Sequence, residues 1–273
     1  MERLLIVVIF TATIHMVDTL SYSVRLAGIR TKRLAMAISL FNIIVLVSRT
    51  ANMIQAPLLG SIVDRAINEG ETLFLLHDFR WIIAAATVGS ILGAALIPSF
   101  VVIFSKGILK LETAGSIPQL LGMIIFQRPV EKIRKSIKKP ALALLKGLTP
   151  EKIPPTFLIL NLIITSISTI GVLAAIYAGA LVPQYRITAS QLSGIINGAA
   201  TILMAVVVDP QAAIITDQTL HGLRERKEAN TMVAFLVGGK ILGTLLSQFI
   251  FLLAAKAVVV ITKIIARPDC LLP

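Results

Sequence analysis

Six segments of this sequence stay apolar for about 20 residues or more, the length that an α-helix needs to cross a bilayer. The third, fourth and fifth segments contain no charged residue, and 56% of the whole chain is hydrophobic. Such a chain needs lipid as its solvent. We therefore predict an all-α, polytopic membrane bundle that forms a single domain over residues 1–273, with spans at about 4–24, 34–63, 81–104, 156–182, 187–208 and 232–262.

The net charge of +12 would suggest nucleic acid as a partner if the chain were soluble. Here no nucleic-acid signature interrupts the apolar segments, and we expect the basic residues to set orientation and to contact anionic phospholipids. Ten lysines and arginines lie in the connection 105–155. The positive-inside rule places this connection in the cytoplasm and both termini outside.

Part of that connection has the pattern of an amphipathic helix on the inner leaflet. Within 129–139, Val130, Ile133 and Ile137 recur at helical spacing, and the other faces are basic. A solvated charged loop is the alternative. The apolar stretch Ile117–Phe126 is too short to span and is predicted to be re-entrant or interfacial.

Charged residues inside spans are candidates for function, because each costs about 2.5–3.5 kcal/mol on insertion scales. At about 100° per residue, the polar residues of the first span fall within roughly an 80° arc, so they form one stripe that cannot face lipid. These residues are Thr11, His15, Asp18, Tyr22 and Arg25.

The second span carries a similar stripe of Asn42, Arg49 and Asn52, with Gln55 beside it. We consider two interpretations. In the first, Arg49 forms an ion pair with Asp18 that only positions two helices. In the second, Arg49 and Arg25, with Lys240 of the sixth span, form a cationic site for an anionic group, since guanidinium forks suit phosphate oxygens.

Other motifs favour no enzyme. The sequence contains no phosphate-binding loop of the Walker type and no His-Glu-x-x-His motif, so we predict neither a cofactor nor a metal site.

Asp209 and Asp217 frame a short polar stretch, where helix capping is favoured over a cation site. The fifth span is predicted to stop at Asp209-Pro210. Three Gly-x-x-x-Gly pairs, which start at Gly89, Gly194 and Gly239, allow close helix contacts.

Four longer elements resemble a known family. They are His15–Thr31, Phe41–Gly60, Asp209–Asp217 and Gly239–Gln248, and they are similar to the Amj family, the "alternate to MurJ" lipid II flippases of bacteria. The resemblance covers essentially the whole chain, in length and in number of spans.

The resemblance implies that the protein lies in the bacterial cytoplasmic membrane and supports wall synthesis. There it would move undecaprenyl-pyrophosphate-linked precursor, lipid II, from the inner to the outer leaflet. The implied pyrophosphate matches a site at Arg49, Arg25 and Lys240, with His15, Asp18, Tyr22, Asn42, Asn52 and Gln55 lining or orienting it. The size of the head group leaves a homodimer open. An ion-coupled transporter of small anions, an intramembrane enzyme on a polyprenyl or phospholipid substrate, and a scaffold without transport remain alternatives.

Overall fold

The computed structural model describes residues 2–116, 118–120, 122–123 and 147–266, and the secondary structure of this part of the chain is helical throughout. Short 3-10 turns lie at Pro150–Lys152 and Pro183–Tyr185, and a π-helical turn lies at Met204–Val208. The α-helices are α1 Glu2–Ser21, α2 Ser23–Thr31, α3 Leu34–Glu69, α4 Thr72–Ala114, α5 Pro155–Leu181, α6 Arg186–Leu203, α7 Asp209–Leu220 and α8 Arg226–Ile265.

Six helical segments in the described part are long and apolar enough to cross a membrane, which confirms the predicted polytopic all-α bundle. Two of them are composite, because α1 with α2 forms the first and α6, the π turn and α7 form the fifth. The segments are Glu2–Thr31, Leu34–Glu69, Phe74–Ala114, Pro155–Leu181, Pro183–Leu220 and Arg226–Ile265.

The predicted end of the fifth span at Asp209-Pro210 is wrong, because the helix continues to Leu220. The backbone N–H of Asp209 bonds the carbonyl of Met204, five residues earlier, and so closes the π turn. Pro210 lies in the first turn of α7 and has no N–H to donate to the turn before it, which is the π turn. The chain thus passes the proline by changing its helical pitch.

The first span is interrupted at Tyr22. The hydroxyl of Ser21 donates to the carbonyl of Asp18 at 2.6 Å, and that of Ser23 donates to the carbonyl of Leu20 at 2.6 Å. Side-chain hydroxyls that bond preceding carbonyls in this way bend helices. The short α2 that follows is buried from Ser23 to Ile29.

Glycines set two of the closest helix contacts. A side chain at Gly89 would meet the backbone of Ala12, and one at Gly93 would lie 2.8 Å from the carbonyl oxygen of Met16, so both glycines bring α4 against α1. Gly239 and Gly243 bring α8 against α5 in the same manner. The third pair, Gly194 and Gly198 of α6, has no neighbouring atom within 4 Å.

The core of the bundle is formed mainly by α4, α5 and α8. Phe79, Tyr177 and Phe251 lie against one another with ring centroids 5.4–5.8 Å apart. Helix α3 is peripheral by comparison: it packs on α1, α2, α4 and α5 but makes no extensive contact with α6 or α7. The space between α3 and the span that contains α7, which holds a cavity lined by both helices, is called the cleft below.

Two sequence predictions fall outside the part of the chain that the structure describes. The stretch 129–139 lies wholly outside it, and half of Ile117–Phe126 lies outside it. Residues 105–114 of the predicted connection are described, and they extend α4. There Arg33 pairs with Glu112 at 2.8 Å, which ties the end of α4 to the turn between α2 and α3.

Candidate functional site

Two ion pairs lie inside the bundle. Arg25 of α2 bonds Asp209, the first residue of α7, with 2.7 Å between the guanidinium nitrogen and a carboxylate oxygen. Lys240 of α8 bonds Asp18 of α1 at 2.9 Å. Each pair joins residues about 200 positions apart in sequence. Tyr22, at the break between α1 and α2, is buried and interacts electrostatically with all four groups.

The predicted ion pair between Asp18 and Arg49 is wrong, because Asp18 bonds Lys240 instead. Ser48 is the residue of α3 that is buried and lies beside the Asp18 carboxylate. Successive residues of a helix are rotated by about 100°, so Arg49 points away from Asp18. Arg49 is exposed, makes no ion pair with any described residue, and lies close enough to Asp209 to interact with it electrostatically.

Arg25 is held on two sides. Its guanidinium carbon lies 4.7 Å from the centroid of the Phe41 ring, a cation–π distance, and Asp209 bonds one terminal nitrogen. The residue is 8% exposed, yet its buried Nε has no hydrogen-bond partner among the described residues. A buried donor without a partner costs about 1–3 kcal/mol, so this guanidinium has unused capacity to bind an anion.

A cavity of about 130 Å³ opens beside this guanidinium, between α2, α3 and α7. It mixes apolar walls with a cation, a carboxylate and an amide. The lining residues are Arg25, Leu34, Ala37, Ile38, Phe41, Asn42, Asp209, Ala213 and Thr216. Because these residues lie near the ends of α2, α3 and α7, the cavity is at the end of the bundle that carries Arg30, Lys32 and Arg33.

A second cavity of about 30 Å³ lies further along α1, toward its amino end, and is lined by α1, α3, α4 and α5. Gln55 donates a hydrogen bond to the hydroxyl of Thr11 there. His15 lines the same cavity, and its buried Nδ1 has no partner. The remaining polar residues of the lining are Asn52, Ser168 and Thr169. This volume holds one or two waters.

The predicted stripe on α1 and α3 therefore divides into two groups. Asn42 joins Arg25 at the larger cavity, whereas His15, Asn52 and Gln55 line the smaller one. Asp18, Lys240 and Tyr22 lie between the two cavities along α1. Arg49 stands apart from both linings, on the exposed side of α3.

Asp209 and Phe41 line the cavity beside Arg25, although the sequence did not indicate either of them for this site. Helix capping, which the sequence favours for Asp209, is wrong: Asp209 follows the N-cap residue Val208, and its carboxylate binds Arg25. One signal in the sequence does point to Asp209. An enclosed Arg25 requires a counter-ion, and Asp18, the acidic residue of the first span, has other cations as possible partners. Nothing in the sequence identified Phe41 as the ring that contacts Arg25.

Asn161 of α5 is a further polar residue that the sequence did not indicate, and it packs against the backbone of α8 just before Lys240. Its amide donates to the carbonyl of Leu236 at 3.2 Å, and it occupies the space that a side chain at Gly239 would need. An asparagine in an otherwise uncharged span is the signal that could have suggested a contact between helices.

Comparison with known proteins agrees with this architecture. The family Amj, described as Alternate to MurJ, matches residues 10–262. A relative named Lipid II flippase Amj, from Bacillus subtilis (strain 168), is 37% identical over 262 residues, which are 96% of this chain and 97% of the relative. No solved structure matches the chain. With its six spans, the protein is a multi-pass protein of a bacterial membrane. The extent of both matches establishes that the chain belongs to the Amj, or Alternate to MurJ, family.

Proposed function

We propose that this protein is a lipid II flippase, which moves the undecaprenyl-pyrophosphate-linked precursor of peptidoglycan from the inner to the outer leaflet. The name of the Bacillus subtilis relative supports this substrate. The structural observation that carries the proposal is Arg25, an enclosed arginine with an unused donor beside a cavity that opens toward the cleft. The activity is transport, and no chemical step is required of the chain.

In this proposal Arg25, Lys240 and Arg49 bind the pyrophosphate. Arg25 offers a planar fork of donors, and Lys240 offers a point charge deeper in the bundle. Arg49 lies on α3 at the edge of the cleft, where it is exposed and near Asp209. It would meet the phosphates first, and the two enclosed cations would bind them further in.

The cleft also suits the lipid tail. Helix α3 exposes Leu46 and Met53 on the helical face that carries Asn42 and Arg49, and the fifth span exposes Ile202 and Val206. An apolar border on both sides of a polar cavity would let the prenyl chain stay in the bilayer while the phosphates enter. The cavity of about 130 Å³ equals roughly four water volumes. It suits a phosphate group but not a disaccharide-pentapeptide, so the helices must separate further when substrate enters.

Two further partners belong to the proposal. The basic connection 105–155 would bind anionic phospholipids of the inner leaflet, because each basic residue near such a surface contributes about 1 kcal/mol. A homodimer would use α6, whose Gly194 and Gly198 face open space and so permit close approach of another helix.

Arg49 provides the direct test of the function. We expect Arg49→Ala to leave membrane abundance unchanged, because the side chain is exposed and pairs with no described residue. Lipid II translocation should fall about tenfold or more, and Arg49→Lys should be intermediate because it loses the fork. The measurement is translocation in proteoliposomes, together with rescue of wall synthesis in cells depleted of their own flippase.

Arg65→Gln is the matched control for this test. Arg65 is also exposed on α3, but it pairs with Glu69 four residues later, away from the cleft. It should flip lipid II at the normal rate. Normal translocation by Arg49→Ala would remove Arg49 from the site, and absence of translocation by the wild-type protein would refute the proposed function itself.

A further inference from the structure

Both ion pairs show the same asymmetry. The cation of each pair is enclosed, with side-chain exposures of 9% for Arg25 and 10% for Lys240. The carboxylate is more exposed, at 34% for Asp209 and 29% for Asp18. Holding two helices together does not require the cation to be the more enclosed partner in both pairs. The carboxylates cover the cations from the accessible side.

Arg25 has a second contact, so its guanidinium can stay in position when the Asp209 carboxylate moves away. The Phe41 ring supports the guanidinium from another direction, and only one of its nitrogens is bonded to the carboxylate. Asp209 directly follows the π turn, where the helical hydrogen-bond pattern already changes. Turns of this kind often mark functional sites in helices.

We propose that Asp209 and Asp18 are exchangeable counter-ions, which neutralise Arg25 and Lys240 in the empty protein and are displaced in turn as the pyrophosphate of the substrate passes from one cation to the other. This inference rests on the proposed function and deepens it. A carboxylate resembles a phosphate group in charge and in oxygen acceptors, so each aspartate occupies a place that the pyrophosphate can take. Tyr22 is buried at the break between α1 and α2, between Asp18 and Arg25 along the chain.

Such an exchange solves a physical problem of the transport cycle. An enclosed cation without a partner is costly in a membrane, so an empty carrier needs its own anions before it can return. The same anions compete with the bound pyrophosphate and help to release it in the outer leaflet. Affinity and turnover should therefore respond in opposite directions when an aspartate is neutralised.

The experiment compares Asp209→Asn and Asp18→Asn with wild type in two measurements on the full-length protein. Binding of lipid II, and of inorganic pyrophosphate as a second probe, is measured on purified protein. Translocation is measured in proteoliposomes at saturating lipid II. We expect each variant to bind both probes about tenfold more tightly and to translocate several-fold more slowly.

Controls keep the outcome informative. Asp64→Asn removes an exposed carboxylate that lies 3.5 Å from Arg186, outside the cleft, and should change neither measurement. Asp209→Glu retains the counter-ion and should bind no more tightly than wild type, so it tests the inference even where the asparagine variant folds poorly.

Affinities that are unchanged or lower in both asparagine variants, beside a wild-type protein that binds and translocates lipid II, would overturn the exchange. Tighter binding by Asp209→Glu would also overturn it. A wild-type protein that binds neither probe would instead refute the proposed function.

Discussion

The three cations of the site differ in what holds them. Arg25 and Lys240 are enclosed and ion-paired, whereas Arg49 is exposed and has no ion pair among the described residues. A substitution therefore has different meanings at the three positions. At Arg49 a loss of transport reports on substrate directly, but at Lys240 the stability of the ion pair must be separated from the binding of phosphate.

Lys240 allows that separation. Lys240→Met leaves Asp18 without its 2.9 Å partner, and we expect membrane abundance to fall several-fold. The double variant Lys240→Met with Asp18→Asn buries no lone charge, so its abundance should return to normal. It should still fail to translocate lipid II, because the cation is gone.

Abundance by immunoblot and translocation in proteoliposomes separate these outcomes. A double variant that recovers both abundance and transport would leave Lys240 with a purely structural role.

The sequence indicated which polar residues lie inside the bundle better than it indicated which of them pair. Helical periodicity placed Asp18 and Arg25 on one polar face, and the charge of Lys240 within a span marked it as functional. Periodicity does not fix how one helix is rotated against another. The difference between Ser48, which lies beside Asp18, and Arg49, which does not, is a single step of about 100°.

At the scale of elements, both composite spans carry their break next to the site. Tyr22 interrupts the first span, and the π turn precedes Asp209 in the fifth. Pro210 indicated the position of the second break in the sequence. The sequence predicted that the helix ends there, whereas the helix changes pitch and continues. The choice depends on whether the neighbouring turn can widen to accept a proline, and that is decided by packing around it.

The contact between α1 and α4 gives a prediction at this scale. A methyl group at Gly89 would collide with the backbone of Ala12, which cannot yield as a flexible side chain would. We expect Gly89→Ala to destabilise the protein by roughly 1–3 kcal/mol, the usual range for overpacking. Thermal unfolding in detergent should show the lower midpoint.

Gly107→Ala, in the same helix α4, is the control, since no described residue lies within 4 Å of a side chain there, and it should unfold at the normal temperature. Equal midpoints for the two variants would show that α1 and α4 are not in this close contact.

For the whole molecule, the apolar segments predicted the number of spans because the bilayer requires each of them to be a helix. The cleft could not be predicted, since it arises from contacts that α3 does not make with α6 and α7. The cavity at Arg25 lies at the end of the bundle that the charge distribution assigns to the cytoplasm. Under the proposed function lipid II is collected from the inner leaflet, and this orientation would place the cavity on that side.

The orientation is tested by cysteine labelling. In a Cys270→Ser background, which removes the native thiol, Ser136→Cys reports on the basic connection and Glu71→Cys on the turn between α3 and α4. These positions lie on opposite sides of the membrane if residues 105–155 are cytoplasmic, because α4 crosses once between them. A membrane-impermeant maleimide should then label Glu71→Cys in intact cells, and Ser136→Cys only after permeabilisation. The reverse pattern would put the cavity at Arg25 on the outer side, so that the empty protein would face the leaflet in which lipid II is released.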